Sequence, residues 1–159
     1  MVRAACAGDQ DWILRLIDEA RLTGEVWPGS WDSKKVADAL AENRCLVAGQ
    51  NSNQAAAPFV GSAFLIYRAP GEAWEIDLVA VNPVQRGRGL FRELLDALAQ
   101  VALRQMGPKG KSCPVWLEVH EANATATAAY LCCGFREVGR RPGYYADGGT
   151  AILMTKDCL

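Results

Sequence analysis

The chain has one histidine, His120, in 159 residues. It has no second ligand at metal spacing, so no metal site is expected. Long apolar runs are also missing: no segment approaches the roughly 20 residues of a membrane span. The start, MVRAACAGDQDW, is polar by residue 9 and lacks the core of a secretory signal. Cysteines 6, 45, 113, 132, 133 and 158 form no CxxC pair and no regular spacing. They read as reduced thiols, which places the protein in the cytoplasm. Excess charge is absent as well: 17 basic and 18 acidic residues leave a net charge of −1. This argues against bulk electrostatic capture of nucleic acid, and the reading includes no nucleic-acid and no membrane partner. Oligomeric state leaves no trace in the sequence.

What is present is an ordinary globular composition, half hydrophobic and 22% charged, of a length that suits one domain over residues 1–159. Arg3 to Cys6 reads as a short strand. Asp9 reads as the N-cap of a helix, DWILRLIDEARL, with Trp12, Ile13, Leu16 and Ile17 on one face and Gly24 at its end. Asp32 or Ser33 caps a second helix, SKKVADALAEN. RCLVAG, FVGSAFLIYRA and AWEIDLVAVNP read as strands, the last two joined at Pro70-Gly71. A helix over 90–105, the strand PVWLEVHE, a helix capped by Asn123 and ended by Gly134, and the strands FREVGRR and TAILMTK follow. GPKGKSC between them is a linker. The order predicts a mixed α/β fold of about seven strands, mostly antiparallel, with about four helices. The strand–helix–strand unit over 74–120 predicts one parallel pair.

VQRGRGLFRELL, residues 84–95, puts glycines and arginines at the mouth of a helix. Helix N-termini carry unpaired N–H groups and positive potential, and glycine lets an anion approach them. A phosphate is the expected ligand. The stretch GKS at 110–112 lacks the leading glycine of a P-loop, and Arg92 occupies the third glycine position of a dinucleotide fingerprint.

The pattern Arg86, Gly87, Arg88, Gly89, Leu90 after a strand resembles the coenzyme A loop of the GNAT acetyltransferases. WLEVHEANATATAAYLCCGF resembles the later half of that family, with Glu118, Asn123, Tyr130, Gly134 and Phe135 at the matching positions. RPGYYADGGTAILM resembles, more narrowly, the N-terminal acetyltransferases of the ribosomal-protein-alanine (RimI) type. The resemblance is close over residues 74–155 and loose before. It implies a GNAT fold, acetyl-CoA as cofactor and acetylation of an amine. In such proteins the backbone at Val79, Ala80 and Val81 pairs with the pantetheine arm, and residues Arg86 to Leu90 with Phe91 hold the pyrophosphate. Phe91 stands where the loop usually has glycine or alanine.

The same resemblance implies roles for side chains. Glu118 is the candidate base and Tyr130 the candidate acid toward the leaving thiolate; each also has a plain reading, a strand glutamate pairing a surface charge and a helix tyrosine packed on the sheet. Asn123 either caps its helix or also holds the pantetheine arm. Trp27, Trp31, Tyr144 and Tyr145 would flank the amine. His120, on the Trp116–Glu118 face by alternation, is a second-choice base or a polar neighbour, and Asp147 supports its turn. The acceptor implied is a protein N-terminus, such as that of a ribosomal protein. Alternatives are a small amine on the same fold, or a non-catalytic acyl-CoA-binding module.

Overall fold

The structure, a computed structural model, describes residues 1–22, 30–50, 59–69, 73–106 and 114–157. Seven strands form one sheet: β1 (Val2–Ala4), β2 (Cys45–Gln50), β3 (Val60–Arg68), β4 (Trp74–Val81), β5 (Pro114–His120), β6 (Arg136–Arg141) and β7 (Ala151–Asp157). Their spatial order is β1-β2-β3-β4-β5-β7-β6. Only β4 and β5 are parallel. The helices are α1 (Gln10–Leu22), α2 (Ser33–Ala41), α3 (Leu90–Met106) and α4 (Ala124–Cys132). The Pro70-Gly71 joint, the 107–113 linker and Gly24 lie outside the described residues.

Each face of the sheet has its own core. Leu94, Leu98 and Ala102 of α3, spaced by turns of one helix face, pack with Leu65, Tyr67, Trp74, Leu117 and Met154. On the other face Ile13, Leu16 and Ile17 of α1 and Val36, Ala39 and Leu40 of α2 cover Val47, Phe64, Ile66 and Leu78.

Two local expectations need correction. The first strand runs over Val2–Ala4, not Arg3–Cys6, because its pairing to β2 ends at Ala4↔Leu46. Asp9 is not the N-cap of α1. A 3₁₀ turn at Ala7–Asp9 precedes the helix, and the buried Asp9 carboxylate turns back to accept from Arg3 at 2.7 and 2.9 Å, from the Cys6 N–H at 2.8 Å and from the Trp12 indole at 3.0 Å. A competing set of local partners, Cys6 and Trp12 three residues away and Arg3 six away, took the carboxylate that capping rules assign to the helix. Asp32 and Asn123 do cap their helices, accepting from Lys35 N–H at 2.9 Å and Ala126 N–H at 3.0 Å.

The feature that makes room for a site is in β4. The β3–β4 register slips between Ile66 and Tyr67, leaving Asp77 as the extra residue. Up to that point Trp74 and Ile76 face the α3 core; after it Leu78 and Ala80 face α1 and α2. Parallel pairing of β4 to β5 stops at the same place, with Ile76↔Leu117 its last pair. Beyond it the two central strands part, and among the described residues no strand lies beside the Leu78–Val81 edge that would face β5.

Candidate active site

One cavity, of about 420 Å³, opens on that free edge. Val79, Ala80 and Val81 line it from β4, Gln85, Arg86, Gly87, Gly89, Leu90 and Phe91 from the loop and first turn of α3, and Asn123, Ala126, Ala129 and Tyr130 from the cap and body of α4. The loop is shaped by Gly87 and Gly89, with φ of +75° and +80°. Side chains there would be strained, and the space above both is open: a Cβ on either would meet nothing within 4 Å. Bare backbone, a helix N-terminus and Arg86 therefore face one concavity, whereas Arg88, expected with them, is not among its lining residues. Arg86 Nε also donates to the Val81 carbonyl at 3.3 Å. Phe91 does not block the turn. Its ring packs edge-on against Tyr130 at 5.3 Å between centroids, and Tyr130 lies 5.9 Å from Phe135. Tyr130, 9% exposed, is thus both a packing residue and part of the wall.

A second cavity, of about 510 Å³, is strongly polar. Trp31 reaches it from just before α2 and Lys35 from α2, Arg68 from β3, Glu75 and Asp77 from β4, Glu118 from β5, and Arg141 and Tyr144 from β6 and the turn after it. Glu118 is paired with Arg141, whose Nη1 lies 2.5 Å from Oε1. Glu118 thus binds a neighbouring charge and also faces a cavity. Its carboxylate, interacting with the Tyr144 hydroxyl, pushes that phenol's pKa up, with burial adding to the effect. Asp77 is pushed up by burial first and opposed by Arg68, 2.9 Å away.

Glu75, Asp77 and Arg68 went unnoticed in the sequence. Their signal was parallel pairing: Glu75↔Trp116 and Ile76↔Leu117 bring the β4 carboxylates level with Glu118.

The two tyrosines of the β6–β7 turn are not equivalent. Tyr144 is 42% exposed and lines the second cavity, whereas Tyr145 is 5% exposed and packs on His120 at 4.5 Å. Of the two tyrosines expected to flank the amine, Tyr144 alone lines the cavity; the two rings meet edge-on, 5.3 Å between centroids, with Tyr145 on the inner side. Tyr145 Oη is nonetheless buried without a hydrogen-bond partner among the described residues. Burial raises its pKa, and the charge of Glu118 adds to the rise. Trp31 lines the second cavity; Trp27 lies outside the described residues. No helix among them is long and apolar enough to cross a membrane.

A divided sheet with a glycine-rich anion loop on one side of the parting and a carboxylate pocket on the other defines a class. The acetyltransferase (GNAT) family model matches residues 14–135, and the chain belongs to that family. It is similar to the N-alpha-acetyltransferase RimI of Mycobacterium tuberculosis, 35% identical over 91 residues, which are 57% of this chain and 52% of that one. It is 38% identical over 79 residues to the ribosomal protein bS18-alanine N-acetyltransferase of Escherichia coli K12, covering 48% of this chain and 50% of the relative. A streptothricin acetyltransferase of Streptomyces lavendulae is 32% identical over 102 residues, 62% of this chain and 51% of that one. The chain thus spans about half the length of these curated relatives. Among solved structures, the Escherichia coli ribosomal-protein-S18-alanine N-acetyltransferase superposes with a TM-score of 0.73 over 99% of this chain and 93% of its own, at 24% identity. At that identity the likeness shows the fold. Acetyl-CoA is the cofactor of the family, and the open glycine cradle and free strand edge fit its pyrophosphate and pantetheine.

Proposed function

We propose that residues 1–159 form one cytoplasmic acetyltransferase domain that acetylates the α-amino group of a protein N-terminus. One observation carries this reading: Tyr130 lines the cofactor cavity and Glu118 the polar cavity on the other side of the parted strands. The relatives named for N-terminal and ribosomal-protein acetylation support the choice of acceptor.

Bound acetyl-CoA supplies a thioester acetyl group. Val79 to Val81 offer backbone groups to the pantetheine and an N–H to the acetyl carbonyl. Glu118 takes the proton from the attacking amine, directly or through water, and Tyr130 donates its hydroxyl proton to the departing sulfur. A single carboxylate suffices because an α-amino group, with a pKa of about 7.7–8.0, is already partly neutral at pH 7. A lysine at about 10.4 costs roughly 3 kcal/mol more to deprotonate. Tyr144 and Trp31 grip the extended peptide, and the buried Tyr145 hydroxyl is a further donor at the same turn.

Thioester consumption decides the matter. An alanine- or serine-first peptide should react far faster than the same peptide blocked at its N-terminus and carrying a lysine. A small amine as the better acceptor would replace this reading with the second one, which the streptothricin acetyltransferase relative and the three carboxylates of the polar cavity favour. Thioester untouched with any acceptor would leave a binding module.

A further inference from the structure

The turn bearing Tyr144 and Tyr145 is tied to the turn that starts α4, and the tie runs through the single histidine of the chain. The Ala122 N–H donates to His120 Nδ1 at 3.0 Å. A backbone N–H can only donate, so Nδ1 holds a lone pair and the proton of the neutral ring sits on Nε2. Nε2 lies 3.0 and 3.2 Å from the two carboxylate oxygens of Asp147. Asp147 Oδ1 also accepts from the Gly149 N–H at 2.9 Å.

Neighbouring contacts fasten the same two turns. The Glu121 N–H donates to the Thr150 carbonyl at 2.9 Å, and Glu121 Oε1 accepts from the Thr150 N–H at 2.8 Å. The Tyr145 N–H donates to the Gly149 carbonyl at 3.1 Å. The imidazole, 6% exposed, forms the surface on which the Tyr145 ring rests. A Cβ at Gly149 would stand 2.1 Å from Nε2, so only glycine leaves the histidine its place.

We propose that His120 is a positioning residue. With Asp147 it latches the acceptor turn to the N-terminus of α4, and so sets the Tyr145 hydroxyl relative to Glu118 and Tyr130. It is not a base for the amine: one nitrogen is filled by Ala122 and the other already bears the proton given to Asp147. The proposal rests on the acetyltransferase reading for its kinetic consequence, though not for its geometry.

Two measurements test it. Because there is one histidine, ¹⁵N-histidine labelling yields a single imidazole spectrum, recorded at pH 8 without any acceptor. The expected result is the neutral Nε2–H tautomer in the wild type, Asp147→Asn and Asp147→Ala alike, because the Ala122 N–H fixes it. The Nε2–H proton should be slow to exchange with water in the wild type and in Asp147→Asn, whose amide oxygen still accepts, and fast in Asp147→Ala. Equally fast exchange in the wild type refutes the Asp147 contact. An Nδ1–H tautomer, or a ring averaging both forms in the wild type, overturns the latch. In steady-state assays with whichever amine the wild type acetylates, His120→Ala and Asp147→Ala should raise the acceptor KM about tenfold and leave the acetyl-CoA KM within about twofold, with Asp147→Asn close to wild type. Equal changes in both KM values would mean general damage and refute the positioning role. An unaltered thermal shift by acetyl-CoA confirms that each variant is folded. A correct tautomer in a protein that acetylates no peptide N-terminus would sink the N-terminal reading alone.

Discussion

Arg141 and Glu118 are joined across β7: the guanidinium of the last β6 residue bonds the carboxylate at the centre of β5. The pair separates stability from chemistry. Arg141 is about half exposed, so the pair contributes no more than about 1 kcal/mol to the fold. In its proposed role as proton acceptor, Glu118 would be worth about 10²–10⁴ in rate. Glu118→Gln should therefore melt close to wild type and lose activity most at neutral pH. The deficit should shrink toward pH 9 as the amine loses its own proton. A loss that is flat across pH would assign Glu118 to placement of the substrate.

Tyr130→Phe keeps the ring that packs on Phe91 and Phe135 and deletes only the hydroxyl. The expected outcome is a kcat lower by about 10²–10⁴ with the KM for acetyl-CoA nearly unchanged. Unchanged kcat would remove Tyr130 from proton transfer.

At Gly89 the backbone is left-handed and the space beside it is open. Acetyl-CoA at 100 times its Kd should stabilise the wild type by about 2.7 kcal/mol, which is about 2–4 °C in Tm for each kcal/mol at this chain length. Gly89→Glu sets a negative charge against the pyrophosphate and should abolish that shift. Gly89→Ala, which adds strain without charge, should retain part of it. An undiminished shift in Gly89→Glu would place the anion elsewhere.

Asp9 predicts the acid limb of stability. Burial by itself would raise its pKa, but the Arg3 guanidinium, the Cys6 N–H and the Trp12 indole together hold it well below the usual carboxylate range. A group depressed in the folded state stabilises the fold above its unfolded pKa, about 3.9, and that contribution is lost as pH falls below it. Urea midpoints of the wild type should decline from pH 4 toward pH 2. Asp9→Asn should cost about 3 kcal/mol at pH 7 and show a flatter acid limb. An equally steep decline in the variant would point to other carboxylates.

Most elements were legible because their causes are local. Asp32 and Asn123 cap within three residues, and the glycines before Leu90 announce a helix mouth whatever packs around it. Asp9 misled because a 3₁₀ turn opened by Cys6 comes before α1, so its carboxylate serves Cys6, Trp12 and Arg3 instead of the helix start. Tyr144 and Tyr145 look alike in sequence, and only the imidazole beneath one of them tells them apart. The face exchange in β4 was hidden most completely. Trp74, Ile76, Leu78 and Ala80 alternate without interruption, yet the bulge at Asp77 sends the first two and the last two to opposite cores.

That bulge makes β4 a matter of parity. Side chains in a strand alternate, and Asp77 is the one residue by which β4 departs from that rule. Deleting Asp77 would leave Ile76 and Leu78 on the consecutive β3 partners they already have, with Leu78 and Ala80 still toward α1 and α2 and Val79 and Val81 still toward α3. One residue gained or lost beyond the bulge, between Leu78 and Val81, would instead swap the faces of all that follows it. Among relatives of this chain, β4 should therefore keep the extra residue or lack it at Asp77, and should show no single-residue length change beyond it.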